Sequence, residues 1–186
     1  MEEMATRTSS SGVDPTDVRV SAVKTQRNKY LEGKNLFELA EATDKPLIDA
    51  ICDLLIEEDL SVSMIIFISD EADVRTILRH PAQIVCTDGL LGGKPHPRVY
   101  GAFPRILGRL CRDEKVLDLA EAIRKMTSAP AQRLGLQDRG LLKEGFRADI
   151  TAFNPKAVID TATYDDPRQA PLGIEHVFIN GKQVVA

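Results

Sequence analysis

Apolar residues recur along this chain at two spacings, and the spacing changes several times. Val18, Val20 and Ala22 alternate with polar neighbours, which predicts a strand over 18–23 with those three on one face. Asn35 to Thr43 predicts a short helix. Pro46 suits a first helical turn, and Leu47, Ile48, Ile51, Leu54 and Leu55 return on one side of the helix that follows. After Glu57-Glu58-Asp59 comes a continuous apolar run of strand length, Ser63-Met-Ile-Ile-Phe-Ile68. Ser69 and Asp70 are placed to cap a helix towards Arg79, with Val74, Ile77 and Leu78 inward. Ile84-Val-Cys86 predicts another short strand, which ends in Thr87-Asp88-Gly89. Continuous apolar strands alternating with helices predict parallel α/β units covered on both faces.

The Gly- and Pro-rich loop Gly89–Arg98 separates this half from a helical stretch. There Pro104 suits the first turn of a helix to Cys111, carrying Ile106, Leu107 and Leu110 inward. Leu119, Ala122, Ile123 and Met126 mark the next helix, and Pro130 to Leu134 a third with Gly135 as its C-cap. From Gly140 the pattern becomes turn, strand, turn. Strands are predicted over 148–153, 174–179 and 183–185, with Asn180-Gly181 as a hairpin turn. Residues 1–17 are polar, rich in Ser and Thr, and read as a loose leader.

Composition narrows the partners. The chain has 186 residues and a net charge of −4, with 43% apolar and 28% charged residues. Those values describe a soluble globular chain of about one domain. The acidic balance argues against a nucleic-acid binder that works by neutralising phosphates. The longest apolar run, Met64 to Ile68, falls far short of the ~20 residues a membrane span needs. The N-terminus has no apolar segment of the kind found in signal peptides. Cys52, Cys86 and Cys111 lack metal-knuckle spacing and read as free thiols of a reducing, cytoplasmic compartment.

Asp88 is the leading candidate for chemistry. It lies at the C-terminal end of a predicted buried strand, where barrels and open α/β sheets collect ligands and catalytic groups. A carboxylate there serves as general acid, general base or metal ligand; the alternative is a turn cap on the following backbone amides. Cys86, two residues earlier on the same predicted face, reads as a second ligand, a nucleophile or a small buried hydrophobe. His96 sits in Pro95-His-Pro97, on a loop able to fold over a site, and Arg98 ends that loop as a carboxylate clamp or a solvated side chain. His80 reads as a helix cap or surface residue, and His176 as structural or exposed. No His-x-His or His-x-x-x-His spacing occurs. Arg105, Arg109 and Arg112 form a stripe, most simply the wet face of a helix. Gly92-Gly93-Lys94 is no phosphate loop, because Asp88 takes the place of the first glycine and Pro95 that of the Ser or Thr.

These residues carry a resemblance. Cys86-Thr-Asp88-Gly89, Pro95-His-Pro-Arg98 and Gly101-Ala-Phe-Pro-Arg105 resemble the final catalytic strand of the N-acyl-D-amino-acid deacylases, or D-aminoacylases, of the metal-dependent amidohydrolase superfamily. Tyr30-Leu-Glu-Gly33-Lys34, Ser63-Met-Ile-Ile-Phe67, Met126-Thr-Ser-Ala-Pro-Ala131 and Gly140-Leu-Leu-Lys-Glu-Gly145 are similar to the same family, as is the ending from Gly173 to Gly181. The likeness spans roughly residues 18 to 186. It implies a zinc-dependent hydrolase of linear, non-peptide amides, acting on an N-acyl-D-amino acid, with a TIM-like barrel beside a small β-sandwich. Asp88 matches the family's catalytic aspartate, which takes a proton from the attacking water and passes it to the leaving amine. Arg98 matches an arginine that meets the substrate; His96 is the second substrate-binding candidate, by its place on the loop next to Asp88 rather than by the resemblance.

Members also carry an early His-x-His and further metal ligands on middle strands, none of which this sequence contains. A barrel alone needs roughly 250 residues. The resemblance therefore implies the C-terminal portion of an α/β barrel. Residues 18–139 correspond to its last strands and helices, and residues 140–186 to sandwich strands. Two expectations follow. The chain is completed by an N-terminal half, or it is a non-catalytic fragment that folds alone as a homo-oligomer. On either, the isolated chain holds no stoichiometric zinc of its own.

Overall fold

A computed structural model describes residues 13–186; most of the leader expected over 1–17 lies outside the described residues. The chain divides into two compact units. One takes the residues up to Ser69 together with Gly89–His96 and Tyr164–Pro167, and the other takes Asp70–Asp88, Pro97–Thr163 and Arg168–Ala186.

In the first unit, β1 (Val18–Ala22) pairs antiparallel with β2 (Ser63–Ile66), Val18 opposite Ile66 and Val20 opposite Met64. Between them run α1 (Leu36–Thr43) and α2 (Leu47–Glu57). Asn35 starts α1 with a capping box, its side chain accepting from the Glu38 amide while the Glu38 carboxylate accepts from the Asn35 amide. The core gathers Val20, Val23, Leu31, Leu39, Ala50 and Leu54. The expected alternation in β1 does not hold, for Ser21 is buried beside Val20 while Val18 and Ala22 are only partly covered. A return segment also runs along the edge of β1 opposite β2. Gly33 donates to the Val20 carbonyl at 2.7 Å and Val20 donates to the Lys34 carbonyl at 3.0 Å, so both edges of β1 meet neighbours.

Glu58 closes this unit. Its side chain is fully buried, yet four groups donate to it: the amides of Lys24 and Thr25, both at 2.7 Å, the Asn28 amide nitrogen at 2.7 Å, and the Thr25 hydroxyl. Burial raises its carboxyl pKa, but the bonds from Thr25, Asn28 and Lys24 outweigh that and hold it down to about 2.

In the second unit, α3 (Glu71–Arg79) is capped by Asp70, whose carboxylate accepts from Ala72 at 2.6 Å. The next helix, α4 (Arg98–Arg105), begins earlier than Pro104 implied, and Pro104 lies inside it. Pro has no N–H to donate back, so the intrahelical ladder is broken there. The chain continues as a π-helical segment, Ile106–Asp113, whose wider winding is visible in the bond from the Glu114 amide to the Arg109 carbonyl, 2.9 Å. After α5 (Leu119–Met126) and α6 (Ser128–Arg133), Gly135 and Leu136 donate back to Gln132 and Ala131, as a C-cap should. The core packs Leu78, Val85, Leu107, Leu110, Ala122 and Val158.

The chain's end forms an antiparallel sheet in the order β3 (Ile150–Phe153), β4 (Ile174–Ile179), β5 (Lys182–Val185). Asn180 and Gly181 make the hairpin turn with φ of 49° and 79°.

One expectation needs correction. The parallel α/β pairing read from the apolar pattern is absent among the described residues, where both sheets are antiparallel. Ile84–Cys86 joins no ladder, and the Val85 amide donates instead to the Lys125 carbonyl at the end of α5, 3.1 Å away. A strand needs a neighbour as well as the right side chains, and the pattern reports only the side chains.

Candidate functional site

Asp88 follows the short apolar stretch Ile84–Cys86 within an irregular segment, and that stretch is held to the second unit from beneath. Val85 is buried in the core. Lys125, fully buried on α5, donates its ammonium to the carbonyls of His80 at 2.5 Å and Gln83 at 3.0 Å. Sequence reasoning missed this lysine. The signal was its place three residues after Ala122 on the apolar face of the helix, where an aliphatic residue would be expected.

At Asp88 the backbone turns into the left-handed region, φ 44°, which Asp tolerates better than most residues. Arg98, the first residue of α4, secures that turn. Its Nη2 donates to the Asp88 carboxylate at 2.7 Å and to the Asp88 carbonyl at 2.7 Å, and its Nε adds a bond to the same carbonyl at 3.1 Å. The carboxylate is otherwise open, with 80% of the side chain exposed. The geometry thus joins two of the three candidate residues through a charge-assisted fork. Asp88 does not spend its side chain on the amides that follow it, which was the alternative reading.

His96 belongs to the first unit. The loop bearing it is fixed to β1, with the Lys94 amide donating to the Ser21 carbonyl at 2.7 Å. Gly93 makes this approach possible, because a Cβ there would come within 2.3 Å of the Ser21 carbonyl oxygen and 2.5 Å of Glu32 Oε1. The His96 Nε2 lies 3.1 Å from the Tyr164 hydroxyl, and Tyr164 packs at 4.7 Å between ring centroids on Phe67, over which Arg19 sits at 5.6 Å. This aromatic and cationic cluster assembles residues far apart in the chain, so spacing gave no sign of it.

Cys86 is exposed, which corrects its reading as a small buried hydrophobe; Val85 takes the inward position instead. Cys111 is the buried cysteine, and burial raises its thiol pKa. His80 caps α3, its Nδ1 accepting from the Ala82 amide at 3.2 Å, and His176 accepts or donates to Gln183 across the hairpin at 3.1 Å. The arginine stripe is engaged rather than merely wet. Arg105 pairs with Asp160 at 3.2 Å, Arg109 with Glu114 at 2.7 Å, and Arg112 donates to the Val158 carbonyl at 2.7 Å. A cavity of about 410 Å³ opens in the second unit between Leu107, Leu117, Phe153 and Val158, with Arg112 and Lys115 on its wall; neither Asp88 nor Arg98 lines it. Among the described residues no three or more His, Cys, Asp or Glu side chains converge as metal ligands, and no helix is long and apolar enough to cross a membrane.

Comparison with known proteins gives this arrangement its class. The N-acyl-D-glutamate deacylase of Bordetella bronchiseptica, solved with zinc and a phosphonate mimic of the tetrahedral intermediate, superposes with a TM-score of 0.84. The superposition covers 99% of this chain and 36% of that one, at 32% identity. A D-aminoacylase described by its binuclear metal centre superposes with a TM-score of 0.80 at 34% identity, covering 90% and 34%. The fold is therefore α/β, a portion of an amidohydrolase TIM-type barrel with accompanying sheet strands.

The amidohydrolase family profile matches residues 12–185, and the chain belongs to that family. Among curated relatives it is 38% identical to the N-acyl-D-aspartate deacylase of Alcaligenes xylosoxydans xylosoxydans, over 77% of this chain and 30% of the relative. It is 39% identical to the D-aminoacylase of the same organism, over 83% and 31%. The chain spans about a third of the length of the relatives it matches.

Proposed function

We propose that this chain contributes the acid–base residue of an N-acyl-D-amino-acid deacylase, a hydrolase of linear, non-peptide amides. The observation that carries the reading is the exposed Asp88 carboxylate, presented at a left-handed turn by Arg98 in a chain of amidohydrolase descent. Asp88 accepts the proton of the attacking water as the amide carbon is attacked, then returns it to the departing amine nitrogen. One carboxylate performs both steps because it changes protonation state between them. Arg98 holds Asp88 in place and offers its guanidinium to the substrate's carboxylate, which would share it with Asp88. His96, beside the Tyr164 hydroxyl, is the second substrate-side residue.

The zinc of the solved relatives does not fit the donor set of this chain, since a zinc site needs three or four protein ligands and the described residues bring no such group together. Metal polarisation of the water and of the amide carbonyl is therefore not assigned to these residues, and Asp88 keeps only the proton transfers. The three free cysteines support a cytoplasmic setting. The missing donor set and the one-third span favour a second reading, a non-catalytic fragment that folds and self-associates.

Grafting residues 18–186 in place of the matched stretch of the Alcaligenes D-aminoacylase, then assaying an N-acetyl-D-amino acid, separates the two. The graft is expected to turn over, and Asp88→Asn to lower kcat by roughly 10²-fold or more. A graft with near-normal turnover after Asp88→Asn removes Asp88 from the mechanism.

A further inference from the structure

The segment leading to Asp88 has no strand to lie against. Ile84–Cys86 joins no ladder among the described residues, so its backbone and that of the turn before it need partners from elsewhere. They find them on α5. The Lys125 side-chain nitrogen donates to the carbonyls of His80 at 2.5 Å and Gln83 at 3.0 Å, and the Lys125 carbonyl accepts from the Val85 amide at 3.1 Å. Beside it, Arg124 donates to the Pro81 carbonyl at 2.9 Å. Two consecutive residues of one helix thus hold His80, Pro81, Gln83 and Val85, and only Cys86 and Thr87 separate the last of these ties from Asp88. Arg98 grips Asp88 from the other side.

The place calls for a lysine. Lys125 is fully buried, and Glu121, one turn earlier on the same helix, stands 3.6 Å from its nitrogen and balances its charge. A compact ammonium carries three donors, enough for two carbonyls and a carboxylate. A methionine there would fill similar space and leave two carbonyls without a donor. We propose that Lys125 is the positioning residue of Asp88, with Arg124 as its helper: together they clamp residues 80–85 to α5 and so fix where the carboxylate stands. This rests on the reading above that Asp88 transfers protons in a deacylase. Lys125 touches no reacting atom and acts through Asp88, whose displacement by about 1 Å costs roughly 10²-fold in rate.

The D-aminoacylase graft described above carries the test, because its turnover reads the position of Asp88. Lys125→Met is expected to lower kcat by roughly 10-fold to 10²-fold, while KM for an N-acetyl-D-amino acid changes less than about threefold. In the Asp88→Asn background the same substitution should cost nothing further, since nothing is left to position. Losses that multiply overturn the proposal and make Lys125 a general structural support. Where Lys125→Met does not fold, Arg124→Ala, at a partly exposed position, releases one tie and is expected to lower kcat several-fold with the same lack of additivity; unchanged turnover overturns the proposal. Hydrogen exchange on this chain needs no activity. Either variant should speed amide exchange within residues 80–89 and leave residues 148–185 as in the parent. Unchanged exchange over 80–89 overturns the clamp. A parent graft without turnover, or one indifferent to Asp88→Asn, overturns the deacylase reading, and the exchange result then decides the clamp by itself.

Discussion

Glu58 shows how one residue joins separate segments of this fold. Its carboxylate ends α2 and gathers the amides of Lys24 and Thr25, which follow β1, so the two elements share one charge. Because the folded-state pKa, about 2, lies below the usual 4.5, the stabilisation is fully present above about pH 4.5 and is lost as pH falls towards 2. Urea midpoints measured from pH 6 to 2 should fall most steeply across that window. Glu58→Gln should start lower at pH 6 and show a flatter fall; an unchanged slope would remove Glu58 as the cause. Lys125 does the corresponding work in the second unit, tying His80 and Gln83 beneath the segment that presents Asp88. Both are charged residues in enclosed places, where composition and spacing anticipate apolar ones. Asp88 and Arg98 were legible as candidates from their positions around a Gly/Pro loop. Their mutual bond was not, because ten intervening residues leave its geometry open.

At the scale of elements, the helices were more legible than the strands. A helix satisfies its backbone within itself, so capping residues and apolar spacing suffice to mark Leu36–Thr43, Leu47–Glu57 and Glu71–Arg79. Ile84–Cys86 had strand composition but found its bond on a helix end. The π-helical segment was also invisible in the pattern. It forms where Pro104 interrupts the ladder and where Gly108 lets the segment lie against the Val158 carbonyl. A Cβ at Gly108 would stand 2.3 Å from that oxygen, with backbone that has no easy way to retreat. Gly108→Ala is therefore expected to destabilise the chain by about 1–3 kcal/mol in chemical denaturation. A neutral result would show that the π-helical segment and the backbone at Val158 shift apart at little cost.

For the whole molecule, the relevant fact is span. The chain carries about a third of a deacylase's length and brings no metal donor set together among its described residues. Elemental analysis of the isolated, purified chain should find well under one equivalent of zinc after dialysis. One tightly held equivalent would mean that donors outside the described groups assemble here.

The sequence by itself determined the family, the capped helices of both units, the closing hairpin and the identity of Asp88, Arg98 and His96 as candidates, because caps, turn residues and local motifs act over a few positions. Tertiary structure alone decided that Arg98 grips Asp88, that Glu58 and Lys125 are buried as polar anchors, that His96 meets Tyr164, and that β1 and β2 run antiparallel. Each of these depends on which distant segments come within hydrogen-bonding reach, a property of the folded chain that no local spacing records.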